Sequence, residues 1–310
     1  MESYAAGREL YVLPSELPIP DLGLQPVNAY LVRGEQPVLV DTGMPVDRAA
    51  FEEALWSLVD PADLRWIVVT HDDRDHTGSL TRLLDRAPGA KVITNGISLT
   101  RLSEEFEIPR ERVVTVNPGS RISVGDRQLS FLRPPTFDSP GTLAVFDHAD
   151  GTLFSSDSFG TVLPTSVRRF DDVDVKEFFE GFDVLNRAIA PWTALVDPEK
   201  FQRVVRSVSS LSAARLLSAH GPMVEGRTVT ALMDAMARIP FLPSWLPGAD
   251  IDLEAALDAH DATMTRSNQD ATVTRSNQDA TPRANDDDPG IQPPLPPSAV
   301  HSSSNHRSHP

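Results

Sequence analysis

Along residues 1–247 the apolar positions fall into two alternating patterns. Short runs rich in β-branched residues and bounded by turn formers predict strands at Glu9–Val12, Val27–Val32, Pro37–Val40, Trp66–Thr70, Lys91–Thr94, Arg112–Val116, Gln128–Leu132, Thr142–Phe146, Thr152–Ser156 and Arg215–Ser218. Longer stretches with apolar residues at helical spacing predict helices over Arg48–Val59, Gly78–Arg86, Ile97–Phe106, Val175–Ala190, Pro198–Ser212 and Arg227–Ile239. The strands come in two clusters with helices between and after them. This order predicts an α/β domain, residues 1–247, in which two sheets are sandwiched by helices.

Beyond Pro247 the pattern stops. Asp252 to His260 reads as a short capped helix within 248–260 that closes the domain. From 261 to 310 a nine-residue unit at 262–270 recurs at 271–279 and starts again at Ala280, with one apolar side chain larger than alanine in each full copy. That period is too short for a solenoid and has nothing to bury, and the Pro- and Ser-rich remainder predicts a disordered tail. Its histidines, His301, His306 and His309, are read as solvated.

Composition narrows the functions. With 28 basic and 44 acidic residues, a formal charge of −16 repels nucleic-acid backbones and anionic lipid. The chain has no cysteine, so any metal must sit on nitrogen and oxygen, and thiolate nucleophiles and iron–sulfur clusters are excluded. No basic, apolar leader opens the chain and no apolar run approaches ~20 residues, which predicts a cytoplasmic protein with no membrane span.

The chemistry concentrates after the apolar strand Trp66–Thr70. Within six positions, His71-Asp72-Asp73-Arg74-Asp75-His76, the chain gathers two imidazoles and three carboxylates. Crowded carboxylates repel one another unless a cation compensates them, so metal binding is the favoured reading over a chance cluster of capping residues.

The pattern His-x-Asp-x-Asp-His after a strand resembles the signature loop of the metallo-β-lactamase superfamily. Pro37 to Gly43 resembles the family's second-strand motif, whose Asp41 supports the metal loop. Leu153 to Gly160 resembles the segment bearing a bridging aspartate, Asp157, and Ser218 to Pro222 resembles the segment of the last histidine, His220. The resemblance covers about Glu9 to Arg238 and implies a four-layer αββα sandwich. A carboxylate, Asp73, followed by Gly78-Ser79-Leu80 is similar to the oxygen-binding diiron branch, that of the flavodiiron proteins.

Carried over by position, the resemblance implies one metal on His71, Asp73 and Asp138, a second on Asp75, His76 and His220, and Asp157 bridging them. Asp75 and Asp157 are the implied catalytic residues. The departure is Asp138, where the branch places a histidine; aspartate can still ligate a hard metal, or the site is weakened or lost. His148 is no substitute, because it occupies the turn of a hairpin whose far end carries Asp157, some ~20 Å away. Four carboxylates and three imidazoles suit iron first, with zinc and manganese as alternatives.

Diiron chemistry on dioxygen or nitric oxide needs electrons. The sequence has no Gly-rich phosphate loop, so no flavin is expected on this chain, and either the donor is a separate protein or the site only senses or binds oxygen. The competing class is a hydrolase whose metal-bridging hydroxide attacks an ester, thioester, lactone or phosphoester, although the added carboxylates blunt metal acidity. A metal-free scaffold ranks last. Of the remaining residues, Arg74 and Arg133 are read as ion-pairing cations and Arg168-Arg169 as a solvated patch. Phe159, Phe178, Phe179 and Phe182 are read as core. Trp192, Trp245 and Pro240 to Pro247 are candidates for a lid or for a contact between copies in a homo-oligomer.

Overall fold

A computed structural model describes residues 1–243 and 245. The expected helix at Asp252–His260, the expected tail and the end of the 1–247 domain lie outside the described residues.

The first sheet runs in chain order: β1 Tyr4–Ala5, β2 Leu10–Ile19, β3 Gly23–Val32, β4 Val38–Val40, β5 Trp66–Val68, β6 Lys91–Thr94 and β7 Val113–Thr115. Its first four strands are antiparallel and the last four parallel. The parallel crossovers carry α1 Arg48–Leu58, α2 Arg74–Thr77, α3 Leu80–Arg86 and α4 Gly96–Leu102. The second sheet comprises β8 Arg121–Val124, β9 Arg127–Leu132, β10 Ala144–Asp147, β11 Thr152–Phe154, β12 Arg215–Leu217 and β13 Val224–Glu225, ordered β13-β12-β11-β10-β9-β8. Helices α5 Val175–Ile189 and α6 Pro198–Ser209 join β11 to its parallel neighbour β12, and α7 Arg227–Met236 follows β13.

Period-2 alternation builds the layers. Val38, Val40, Val68 and Ile93 face Phe131, Val145, Phe154 and Leu217 between the sheets. The intervening Leu39, Ile67, Val69 and Val92 pack outward on Phe51, Leu55, Leu80 and Leu83 of α1 and α3. On the far side Phe146, Leu153 and Leu216 meet Phe178, Phe182, Phe201, Val205 and Leu232 of α5, α6 and α7. Strands covered on both faces read as continuous apolar runs, which is why β4, β5 and β6 are conspicuous in the sequence. The result is the expected αββα sandwich.

Three strands escape the sequence reading. β1 and β13 are two residues long, and β8 is half polar. The β2–β3 hairpin also extends further than expected, to Ile19 and Gly23, through Pro14 and Pro18. β1 pairs with Tyr11 and Val12 only, so beyond them no strand among the described residues covers this edge of β2, where a missing backbone N–H is tolerated. At the other boundary, helix begins at Arg74 rather than near Gly78, inside the acidic loop itself. Among the described residues no helix is long and apolar enough to cross a membrane.

Candidate metal centre

Two parallel pairs, β4 with β5 and β11 with β12, end on the same edge of the sandwich. β4 runs into Asp41, β5 into His71, β11 into Asp157 and β12 into His220. The carboxyl ends of parallel strands are where loops can converge without interrupting the sheet. Asp41 and Ser156 both take left-handed backbone conformations, φ 61° and 56°, as the chain leaves its strand. Such conformations are costly for non-glycine residues and persist only when surrounding bonds hold them. At Asp41 those bonds are its carboxylate's contacts with Thr70 N at 2.8 Å, Thr70 Oγ1 at 2.9 Å and His76 Nδ1 at 2.9 Å.

The acidic loop is sewn to the end of β4. Thr42 N donates to His76 O at 2.8 Å and Gly78 N to Gly43 O at 2.8 Å. Gly78 is required by this approach, because a Cβ there would collide with the backbone of Gly43 and Met44.

All seven residues expected from the sequence meet here. Three groups of potential ligand atoms lie within 4.8 Å of one another: His71, Asp73 and Asp138; Asp75, His76 and His220; and His71, His76 and Asp157. His71 Nε2 is 3.8 Å from Asp73 and 3.9 Å from Asp138. His76 Nε2 and His220 Nε2 each lie 3.5 Å from Asp75. Asp157 faces both sides, with Oδ2 at 3.3 Å from His71 Nε2 and Oδ1 at 3.0 and 3.2 Å from His76 and His220 Nε2.

These contacts leave atoms unsatisfied. Beyond these contacts with one another, His71 Nε2, His76 Nε2 and Asp157 Oδ1 are buried with no hydrogen-bond partner among the described residues. Buried polar atoms are normally paired, and three orphans aimed at one space fit a cation held between them. The imidazole tautomers agree. His76 Nδ1 faces the Asp41 carboxylate and His220 Nδ1 the Pro26 carbonyl at 2.8 Å, both acceptors, which turns each Nε2 lone pair inward.

Electrostatics describes the same shortage of positive charge. Burial pushes the histidines down, yet the carboxylates around them win: Asp157 above all raises His71 and His220, and Asp75 and Asp41 hold His76 well above the usual imidazole range. Burial works against the ionised form of Asp157, but the three imidazoles hold its carboxyl well below the usual range. Asp138 is pushed up to about 6, by burial and then by the neighbouring Asp157 charge. Bare, the cluster draws protons into the space a cation would neutralise.

Several supporting residues gave no sequence signal of their own. Thr70 Oγ1 and Ser156 Oγ both sit 3.2 Å from His71 Nδ1. Asn186, fully buried on α5, accepts from Thr136 Oγ1 and Phe159 N and donates to Gly160 O and Phe182 O, tying the Asp157 loop to the helix. Arg101 of α4 pairs with Asp72 at 3.0 Å and reaches Ser139 Oγ at 3.3 Å, joining the acidic loop to the Asp138 loop. Trp192, a lid candidate, instead donates to Phe137 O at 2.9 Å and packs on its ring, bracing the neighbour of Asp138. Asn, Ser, Thr and Arg are too common for such roles to be read without distances.

The secondary residues fall elsewhere. Arg74 pairs with Glu105 at the surface at 2.9 Å. Among the described residues Arg133 pairs with no carboxylate within salt-bridge distance; it donates to Thr142 O and stacks on Phe137. Arg168 and Arg169 pair with Glu2 and Glu225. Phe159, Phe178, Phe179 and Phe182 belong to the helical core, and exposed His148 bonds Ser130 Oγ at 2.7 Å, away from the cluster.

With this geometry in hand, comparison with known proteins is direct. Residues 22–198 match the metallo-beta-lactamase superfamily model, and the chain belongs to that superfamily. It is 27% identical over 197 residues to an uncharacterized protein of Methanocaldococcus jannaschii, covering 63% of this chain and 48% of that one. It is 29% identical over 174 residues to the anaerobic nitric oxide reductase flavorubredoxin of Salmonella typhi, covering 56% and 36%. The chain therefore spans about half, or less, of the curated relatives it matches. Among solved structures, the rubredoxin oxygen:oxidoreductase of Desulfovibrio gigas superposes with a TM-score of 0.68 at 18% identity, covering 76% of this chain and 61% of that one. The fold is thus one shared with this enzyme and with the flavodiiron protein of Giardia intestinalis, which superposes with a TM-score of 0.67 at 19% identity, covering 77% of this chain and 59% of that one.

Proposed function

We propose that this protein is a dinuclear metalloprotein of the oxidoreductase type that reduces dioxygen or nitric oxide with electrons from a donor outside the described residues. In this reading His71, Asp73 and Asp138 hold one ion, Asp75, His76 and His220 hold the other, and Asp157 spans both. The observation that carries it is the two-sided placement of Asp157, one oxygen toward each group, against buried imidazole nitrogens with no other hydrogen-bond partner among the described residues. The relatives named for nitric oxide and oxygen chemistry support the choice of substrate class.

Iron suits the donor set best, since carboxylate and imidazole oxygen and nitrogen donors accommodate both of its common oxidation states. When bound, an iron pair supplies the redox equivalents and the Lewis acidity. The protein's own contribution is to hold the ligands rigidly. Asp41 fixes the tautomer of His76, the Pro26 carbonyl that of His220, and the Asn186 network the loop carrying Asp157. Asp75 and Asp157 are assigned to the reacting centre itself.

The test is metal analysis of untagged protein with spectra under air and after reduction, followed by consumption of dioxygen and nitric oxide with a chemical reductant. About two irons per chain and gas consumption lost in Asp157→Ala are expected. Two zincs, with ester or thioester turnover lost in Asp75→Ala, would replace this reading by a hydrolase. Protein that takes up no stoichiometric metal would be a scaffold.

A further inference from the structure

The two ligand groups are not equivalent. Leaving the shared Asp157 aside, Asp75, His76 and His220 offer two nitrogens and one carboxylate, whereas His71, Asp73 and Asp138 offer one nitrogen and two carboxylates. Their surroundings differ in the same sense. The imidazoles of both groups are buried, but Asp75 is 25% exposed where Asp73 and Asp138 are 45% and 33% exposed. The supports differ too. His76 Nδ1 has the Asp41 carboxylate at 2.9 Å, while among the described residues His71 Nδ1 has the hydroxyls of Thr70 and Ser156, each at 3.2 Å. A carboxylate partner raises the basicity of an imidazole ligand more than a hydroxyl does.

Resting on the dinuclear reading above, we infer that the two metal positions are unequal by design: the nitrogen-rich Asp75–His76–His220 group fills first with a borderline ion, Fe2+ or Zn2+. The oxygen-rich His71–Asp73–Asp138 group fills second, exchanges with solvent, and takes a harder ion, Mn2+ or oxidised iron. Nitrogen donors magnify the affinity of zinc and iron over manganese, and a complement richer in carboxylates reduces that advantage. Two dedicated carboxylates also let the second group neutralise more positive charge than the first, which has one. Asp138 is the residue that creates the inequality, because an imidazole there would give both groups two nitrogens.

Metal-stripped full-length protein titrated with Zn2+ by calorimetry, then with Mn2+ followed by its paramagnetic resonance, tests this without reference to turnover. One zinc per chain should bind about ten-fold or more tighter than the second. One-zinc protein should then take up one manganese per chain as an isolated, magnetically uncoupled ion. In Asp138→His two zincs should bind with similar affinity, and manganese uptake by the one-zinc form should weaken by about ten-fold. In His220→Asn the tight zinc should be lost while the manganese remains. Two native zincs of equal affinity that exclude manganese would overturn the inequality while leaving a dinuclear centre intact. Absence of any stoichiometric metal would sink the dinuclear reading and this inference together. Should Asp138→His fail to fold, the native titration alone decides.

Discussion

The sandwich buries charge at both ends of its strands, and handles it in opposite ways. At the end where β10 turns into β11, the buried Arg127 guanidinium answers Asp147 at 2.6 Å, Glu9 at 3.2 Å and Asp150 at 3.5 Å. There the protein supplies its own cation. At the other end of β11, Asp73, Asp75, Asp138 and Asp157 gather around three imidazoles, and Arg74, the one cation within the acidic loop, turns away to Glu105. An internal arginine makes a closed structural staple, whereas carboxylates left without one make a site that needs a cation from solution.

The largest effect should come from the residue that faces both groups. Asp157→Ala should abolish stoichiometric metal retention, as read by elemental analysis, while leaving the fold intact by circular dichroism; retention of both metals would remove Asp157 from the centre. At the opposite end Arg127→Met should destabilise the protein by about 3–5 kcal/mol by stranding the buried Asp147 carboxylate, with metal content unchanged. Denaturant midpoints measure this, and a loss of metal alongside would mean the two ends are coupled.

Asp41→Asn should weaken metal retention by about 10–100-fold, measured by competition with a chelator, since it removes the carboxylate behind His76. The smallest effect concerns pH. In metal-free protein the Asp138 carboxyl is raised from 3.8 to about 6, so the folded state holds its proton more tightly than the unfolded chain. Its favourable contribution is full below about pH 4 and lost as pH rises through about 6. Metal-free Asp138→Asn should therefore be more stable than the parent at pH 7, by about 1 kcal/mol after discounting for a side chain one-third exposed, and indistinguishable from it near pH 4. A difference independent of pH would show that packing rather than charge is at work.

Much of this was legible in the chain. Strands such as Lys91–Thr94, covered on both faces, are written as apolar runs, and the helices Val175–Ile189 and Pro198–Ser209 carry apolar residues at helical spacing. The acidic loop was visible because local crowding of like charge is itself a signal. Two-residue strands such as Tyr4–Ala5 and Val224–Glu225 were not, because pairing with a neighbour rather than any periodicity defines them.

By itself the sequence determined the layers and the six-residue loop, since both follow from patterns within a few residues of chain. The resemblance named Asp138, Asp157 and His220 as ligands, but their mutual geometry is a long-range matter. Only the tertiary structure decided that the ends of β4, β5, β11 and β12 converge, and that Asp157 turns one oxygen to each group. It also decided that Asp41 backs His76 while hydroxyls lie behind His71. Those relations join residues as far apart as Asp75 and His220 at 3.5 Å. No local pattern encodes such a distance, because it is set by how two sheets pack.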